Sequence, residues 1–170
     1  MIFSNPTEYA IRGLGELACR AGGEPGRVTL LDDVVAGTDL PRDFLAKIFQ
    51  QLVRAGILRS ARGRGGGFAL ARAPHEVTLM QIVQAIEGPQ TLDRCVVGLA
   101  QCHDTMPCPQ HDLYKPIRQR LRDYLQTTTV ADMASSLKAK QAWRKINEEH
   151  RPAGAAAAGS AAAMGRSSSK

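Results

Sequence analysis

The sequence predicts a mainly α-helical fold with one small β hairpin, and three observations carry this. Apolar residues recur at helical spacing along most of the chain, first at Ala10, Ile11, Leu14, Leu17 and Ala18. Residues 57–71 instead read as two short strands, Ile57-Leu58-Arg59-Ser60 and Phe68-Ala69-Leu70-Ala71, around a glycine-rich turn. A short helix, a turn at Gly37-Thr38-Asp39 and a longer amphipathic helix directly precede that hairpin. The expected architecture is a winged helix-turn-helix domain followed by a long C-terminal helix.

Each element has a local cause. Asn5-Pro6-Thr7-Glu8 predicts the first helix start, with Asn5 as N-cap, Pro6 at N1 and Glu8 closing a capping box at N3. This helix should end near Ala21, ahead of Gly22-Gly23, and its Gly13 and Gly15 suit close packing. Thr29 is placed to cap a second helix over 31–36, unless Val28-Thr29-Leu30 is a strand. From Pro41 to Ala55, Phe44, Leu45, Ile48, Phe49 and Leu52 share one face, and Gly56 stops the helix. Thr78 caps a further helix with Leu79, Ile82, Val83 and Ile86 inward, ending at Gly88-Pro89. Residues 90–112 lack a period and read as a loop. From Leu113 to about Gln126, Tyr114, Ile117, Leu121 and Tyr124 form an a/d-like seam, suited to packing within one subunit or to a dimer contact. Thr129-x-x-Asp132 starts a last helix, with Val130, Met133 and Leu137 apolar.

The domains follow from this order: 1–90 winged helix-turn-helix, 91–112 a cysteine loop, 113–150 a long helix and a second helical segment, and 151–170 a disordered Ala/Gly/Ser tail without an apolar core of its own. The chain has 170 residues, enough for one hydrophobic core, and its apolar and charged fractions of 44% and 22% are ordinary for a globular protein. No run of 18 apolar residues is present, so no transmembrane helix is expected, and the Glu8- and Arg12-bearing N-terminus does not read as a secretory signal. The expected location is cytoplasmic, with no membrane partner and no small-molecule substrate. No nucleophile–base pair or cofactor loop stands out, so neither an enzyme nor a cluster carrier is the expected class.

Net charge is +6, and Arg59, Arg62, Arg64 and Arg72 fall within 14 residues without an intervening acid. That patch suits phosphate, and a slim glycine-rich tip carrying Arg62 and Arg64 suits a narrow minor groove. Outside the apolar face of the 41–55 helix lie Arg42, Asp43, Ala46, Lys47, Gln50, Gln51 and Arg54. Lys47 and Gln50 have donors for base edges, and Arg42 and Arg54 suit phosphate or guanine. The expected partner is double-stranded DNA.

The cysteines point to a second function. Cys95-x6-Cys102-x5-Cys108-x2-His111 places four ligand-type side chains in 17 residues. Structural zinc favours closer pairs, two to four residues apart, whereas these gaps suit an iron–sulfur cluster. His103 is a competing donor, and Cys19 reads as a small buried apolar residue of the first helix. A thiol–disulfide switch without iron is the alternative.

Over about residues 1–137 the chain resembles the winged-helix iron–sulfur transcription regulators typified by IscR, NsrR and RirA. The resemblance is carried by Thr7-Glu8-Tyr9-Ala10-Ile11-Arg12, by Phe44-Leu45-x-x-Ile48-Phe49-x-x-Leu52 and by Gly56-Ile57-Leu58. It extends to Arg62-Gly63-x-Gly65-Gly66-Gly67-Phe68-x-Leu70, Ala85-Ile86-Glu87-Gly88 and the three clustered cysteines. The resemblance implies a homodimer paired through the long helix, binding a near-palindromic promoter site. It also implies a cluster held by Cys95, Cys102 and Cys108. Cys108-x2-His111 matches members with a [2Fe–2S] cluster and makes His111 the preferred fourth ligand. Members with a [4Fe–4S] cluster take an acidic residue from the partner's first helix, and Glu8 stands at that place; its local alternative is the capping box.

Overall fold

The computed structural model describes residues 3–63, 65–99, 102 and 104–149, with side chains described as far as Ala142. Arg64, His103 and the 151–170 tail lie outside the described residues. The chain divides into two units, Met1–Leu137 and Lys138–Lys170. The elements are α1 (Asn5–Arg20), α2 (Leu31–Val35), α3 (Arg42–Arg54), β1 (Leu58–Ala61), β2 (Gly67–Leu70), α4 (Leu79–Glu87), α5 (His111–Thr127) and α6 (Val130–Glu149).

The core of the first unit is built from α1, α3, the hairpin and α4. Leu14, Leu17, Leu45, Phe49, Leu52, Leu58, Leu70, Ile82 and Val83 are all essentially buried there. Phe49 meets Phe68 of the hairpin edge to face, centroids 5.1 Å apart, so the recognition-type helix and the wing share one aromatic contact. The two glycines of α1 act as predicted. A Cβ on Gly13 would lie 2.8 Å from Leu45 Cδ1, and one on Gly15 would lie 2.8 Å from Leu137 Cδ1. One glycine admits α3 and the other admits α6.

The start of α1 differs from expectation. Ser4, in extended backbone, is the N-cap, and Asn5 is already helical. Glu8 closes no capping box. Its place is taken by Glu87 from the end of α4, whose Oε1 accepts from Ser4 N at 2.9 Å and from the buried Thr7 Oγ1 at 2.7 Å. These donors hold the Glu87 carboxyl below its ordinary range.

Thr29 forms an isolated β-bridge rather than a helix cap. Its N–H and C=O both pair with Phe68 of β2, at 2.8 and 2.9 Å, in antiparallel geometry. α2 therefore begins at Leu31, without a side-chain cap. Phe44, assigned to the core face of α3, is 39% exposed and packs edge to face on Tyr9. It sits on the border of the buried arc, facing α1. Gln51 sits on the same border and donates to Ala85 O of α4 at 3.0 Å, so it is not part of the outer surface.

Two capping boxes stand back to back. Thr78 and Gln81 start α4, and Thr129 and Asp132 start α6. The two threonines are joined as an antiparallel bridge, with Leu79 N donating to Thr128 O and Val130 N to Val77 O, both at 2.9 Å. α5 begins two residues earlier than expected, at His111. Leu125 is its fully buried residue and Leu121 is half-buried against the core. Of the expected seam, Ile117 and Tyr124 remain outside, joined by Leu113, at 59%, 52% and 69% exposure.

Two expectations follow. Gly67→Ala places a Cβ 2.2 Å from the Thr29 carbonyl oxygen. It should cost at least about 2 kcal/mol by denaturant unfolding, because overpacking against backbone breaks the Thr29–Phe68 rung. Glu87→Gln keeps an acceptor but loses the charge, and should cost about 1 kcal/mol at neutral pH. Because the folded carboxyl is lowered from 4.5, its contribution is complete above about that pH and is lost as pH falls through the folded value. Urea melts of both proteins should therefore converge in acid.

Candidate functional site

The outer face of α3 forms from its own periodicity. Leu45, Ile48, Phe49 and Leu52 take the core, which leaves Arg42, Asp43, Lys47, Gln50 and Arg54 exposed. Lys47 and Arg54 form no ion pair with any described residue, and neither does Arg62 at the wing. Arg42 is different: it donates from Nε to Asp32 and from Nη1 to Asp43 at 3.3 Å. A groove runs between α2, α3 and the wing, lined by Asp32, Arg42, Gln50, Arg62, Gly67 and Phe68. The wing turns through Gly63 and Gly65, both at positive φ. Gly66 and Gly67 are needed for another reason: a Cβ there would meet the Ala61 and Thr29 carbonyl oxygens.

The cysteine loop lies along α5. Its donors come together as two pairs. Cys95 Sγ is 3.8 Å from Cys108 Sγ, and Cys102 Sγ is 3.3 Å from His111 Nδ1. Among the described residues, no group of three or more His, Cys, Asp or Glu is gathered closely enough to hold one metal ion. Glu8 joins neither pair, and its side chain has no hydrogen bond or ion pair with a described residue. Cys19 is half-buried in α1 and donates to Ala134 O.

Electrostatics favour anionic sulfur at this loop. The Val97 N–H points at Cys95 Sγ and lowers its thiol pKa most, against the opposing effect of burial. The Leu99 N–H, the Cys108 thiol and the Arg118 charge lower it further. The turn that aims these amides closes through Gly98 N to Cys95 O at 3.0 Å, with Gly98 at positive φ. Arg118 Nη2 donates to Cys102 Sγ at 3.0 Å, which raises the guanidinium above its ordinary value, and its plane lies over the Tyr114 ring.

His111 is buried, with Nε2 2.8 Å from Asp104 Oδ1. A carboxylate only accepts, so Nε2 donates to Asp104, and Nδ1 faces Cys102. Lys115 Nζ donates to the same Asp104 oxygen at 2.7 Å, and Lys115 first, then His111, hold that carboxyl below its ordinary range.

Lys115, Arg118 and Arg122 lie on one face of α5 and grip the loop at Asp104, Cys102 and Asp93 respectively. They border a polar cavity of about 390 Å³ that also contains Cys102 and His111. Sequence reasoning missed this row, although its spacing of three and four residues was visible opposite the apolar seam.

A recognition-type helix with unpaired cations, followed by a glycine-tipped wing, defines a DNA-binding protein of the winged-helix class. The family described as Rrf2, iron-dependent transcriptional regulator, matches residues 3–136. The chain belongs to the Rrf2 family and is a transcriptional regulator. An HTH-type transcriptional regulator of Mycobacterium tuberculosis is 34% identical over 135 residues, covering 79% of this chain and 81% of that protein. The HTH-type transcriptional regulator IscR of Cronobacter sakazakii is 25% identical over 153 residues, covering 89% and 92%. Among solved structures, the global cysteine regulator CymR of B. subtilis is similar with a TM-score of 0.64 and 26% identity, covering 79% of this chain and 96% of that one. No helix among the described residues is long and apolar enough to cross a membrane.

The cation row sets one expectation. Replacing Lys115 and Arg122 together with alanine should speed backbone amide exchange across 91–110 by about tenfold or more, since opening there is local. Amides of α1 and α3 should be unaffected.

Proposed function

We propose that this regulator responds to an iron–sulfur cluster held by Cys95, Cys102, Cys108 and His111, whose state sets its affinity for promoter DNA. The observation that carries the reading is the pairing of donors, Cys95 with Cys108 and Cys102 with His111. A [2Fe–2S] cluster takes two protein ligands per iron, so two pairs are the partition it needs. The 3.8 Å between Cys95 and Cys108 is close to the edge of a thiolate tetrahedron, about 3.8 Å for metal–sulfur bonds near 2.3 Å. Asp104 holds His111 as metal sites usually hold a ligating histidine, through the ring nitrogen that does not bind. The Val97 and Leu99 amides stabilise anionic sulfur at Cys95. When bound, the cluster supplies sensitivity to iron–sulfur supply, to oxidation and to nitric oxide.

In this reading residues 1–90 bind DNA and 91–112 bind the cluster. The 113–150 segment pairs two copies through the exposed stripe of Leu113, Ile117 and Tyr124, flanked by Tyr114 and Leu121. Lys47, Gln50 and Arg54 of α3, with Arg62 and Arg64 of the wing, face the DNA. A [4Fe–4S] cluster with Glu8 of the partner subunit is the alternative ligand set. The structure removes the capping role that competed for Glu8, because Glu87 fills it.

A second reading keeps the DNA and drops the iron. Cys95 and Cys108 are near enough to close a disulfide with a small movement, which makes a thiol switch the rival.

Anaerobic purification with iron and sulfide counts and a visible spectrum separates these. Two irons per chain with structured bands support His111 ligation, and four with one broad shoulder support Glu8. A colourless chain that still binds a promoter supports the thiol switch. Cys102→Ala should lose the colour while keeping cooperative thermal unfolding. Loss of the fold as well would point to a structural metal instead.

A further inference from the structure

Arg42 opens α3, and the first residues of a recognition helix are those that reach base edges. It is also held between two carboxylates, Asp32 at the start of α2 and Asp43 beside it. The three side chains are 54%, 69% and 93% exposed, so the cluster faces solvent. Exposed pairs of this kind contribute little to folding, and stability does not account for the arrangement.

Electrostatics separate two roles for this arginine. Two carboxylates against one guanidinium leave the trio net negative, which makes it a poor phosphate contact. Lys47, Arg54 and Arg62, with no such partners among the described residues, keep their full charge for that purpose. A base edge is neutral and rewards directed donors instead. Of the five guanidinium N–H groups, Asp32 takes that of Nε and Asp43 one of Nη1. Both hydrogens of Nη2 and one of Nη1 remain, enough for one donor from each nitrogen to meet O6 and N7 of guanine. The carboxylates also fix the plane of the guanidinium before DNA arrives, which lowers the ordering cost of the contact.

We propose that Arg42, buttressed by Asp32 and Asp43, reads a guanine in the major groove and sets sequence specificity rather than overall affinity. The proposal rests on the DNA-binding reading of this surface.

The test uses the full chain, purified anaerobically, and a library of random double-stranded DNA from which it selects its preferred site. Binding to that site and its single-base variants is then measured at several salt concentrations. The wild type should show a G·C pair in each half-site whose substitution weakens binding about tenfold or more. Arg42→Lys should abolish that penalty and keep the wild-type salt slope, since it retains the charge and loses the bidentate edge. Asp32→Ala should reduce the same discrimination without weakening binding to random DNA. Full discrimination in Arg42→Lys would overturn the proposal. So would an Arg42→Ala chain weakened equally on all sequences with a salt slope lower by about one. Unchanged discrimination in Asp32→Ala would overturn the buttress. A wild type that binds no DNA overturns both the proposal and the reading beneath it, whereas binding without guanine dependence overturns the proposal alone.

Discussion

Helix α1 has no room for a side chain at Gly13 or at Gly15, and the first unit is arranged around that constraint. Leu45 and Phe49 of α3 fill the space at Gly13, and Leu137 of α6 fills the space at Gly15. Because interiors are packed like crystals, a methyl group at either place would force Leu45 or Leu137 to shift from its present packing. The recognition-type helix is thereby fixed on one side of α1 and the start of α6 on another. The paired capping boxes at Thr78 and Thr129 then tie the start of α6 to the start of α4. Glu87 closes the circuit by running from the end of α4 back to the first turn of α1.

On this frame the cysteine loop is held largely by charge. Among its described residues Cys95 is buried and Leu92 is partly buried against the core, while Val96, Val97, Leu99 and Met106 are exposed. Apolar burial is therefore small, and the cation row of α5 does the holding at Asp93, Cys102 and Asp104. Such contacts are weaker and more salt-sensitive than a core. That suits the sensing role proposed for this segment, because responsive elements come from the low-stability end of a structure. Arg118 joins this row to Tyr114, beside the exposed stripe of α5. The loop and that stripe are thus neighbours through one side chain.

The DNA-facing surface divides its cations by environment. Those with no carboxylate partner among the described residues keep their long-range attraction for a polyanion. Arg42 instead shares its charge with Asp32 and Asp43. Under the proposed reading, such a surface separates affinity from sequence discrimination by placing them on different residues.

The sequence by itself determined much of this protein. Periodicity located α3 and α4, the threonines at 78 and 129 announced their helices, and the glycine run marked the wing, because all of these are local effects of spacing and backbone preference. The two α1 glycines signalled close packing before their neighbours were known. The cysteine and histidine set was visible as a cluster of donors in one loop. What required tertiary structure was pairing across the chain. Ser4 outcompetes Asn5 as the cap because Glu87, more than eighty residues away, satisfies its N–H. Thr29 is drawn into a β-bridge because Phe68 offers it both partners. Phe44 and Gln51 leave their expected faces because α1 and α4 border α3 there. The division of the donors into two pairs, and the role of Asp104 in orienting His111, were likewise decided by tertiary structure. Hydrogen bonds and ion pairs between residues distant in sequence leave no periodic trace, so composition and spacing cannot reveal them.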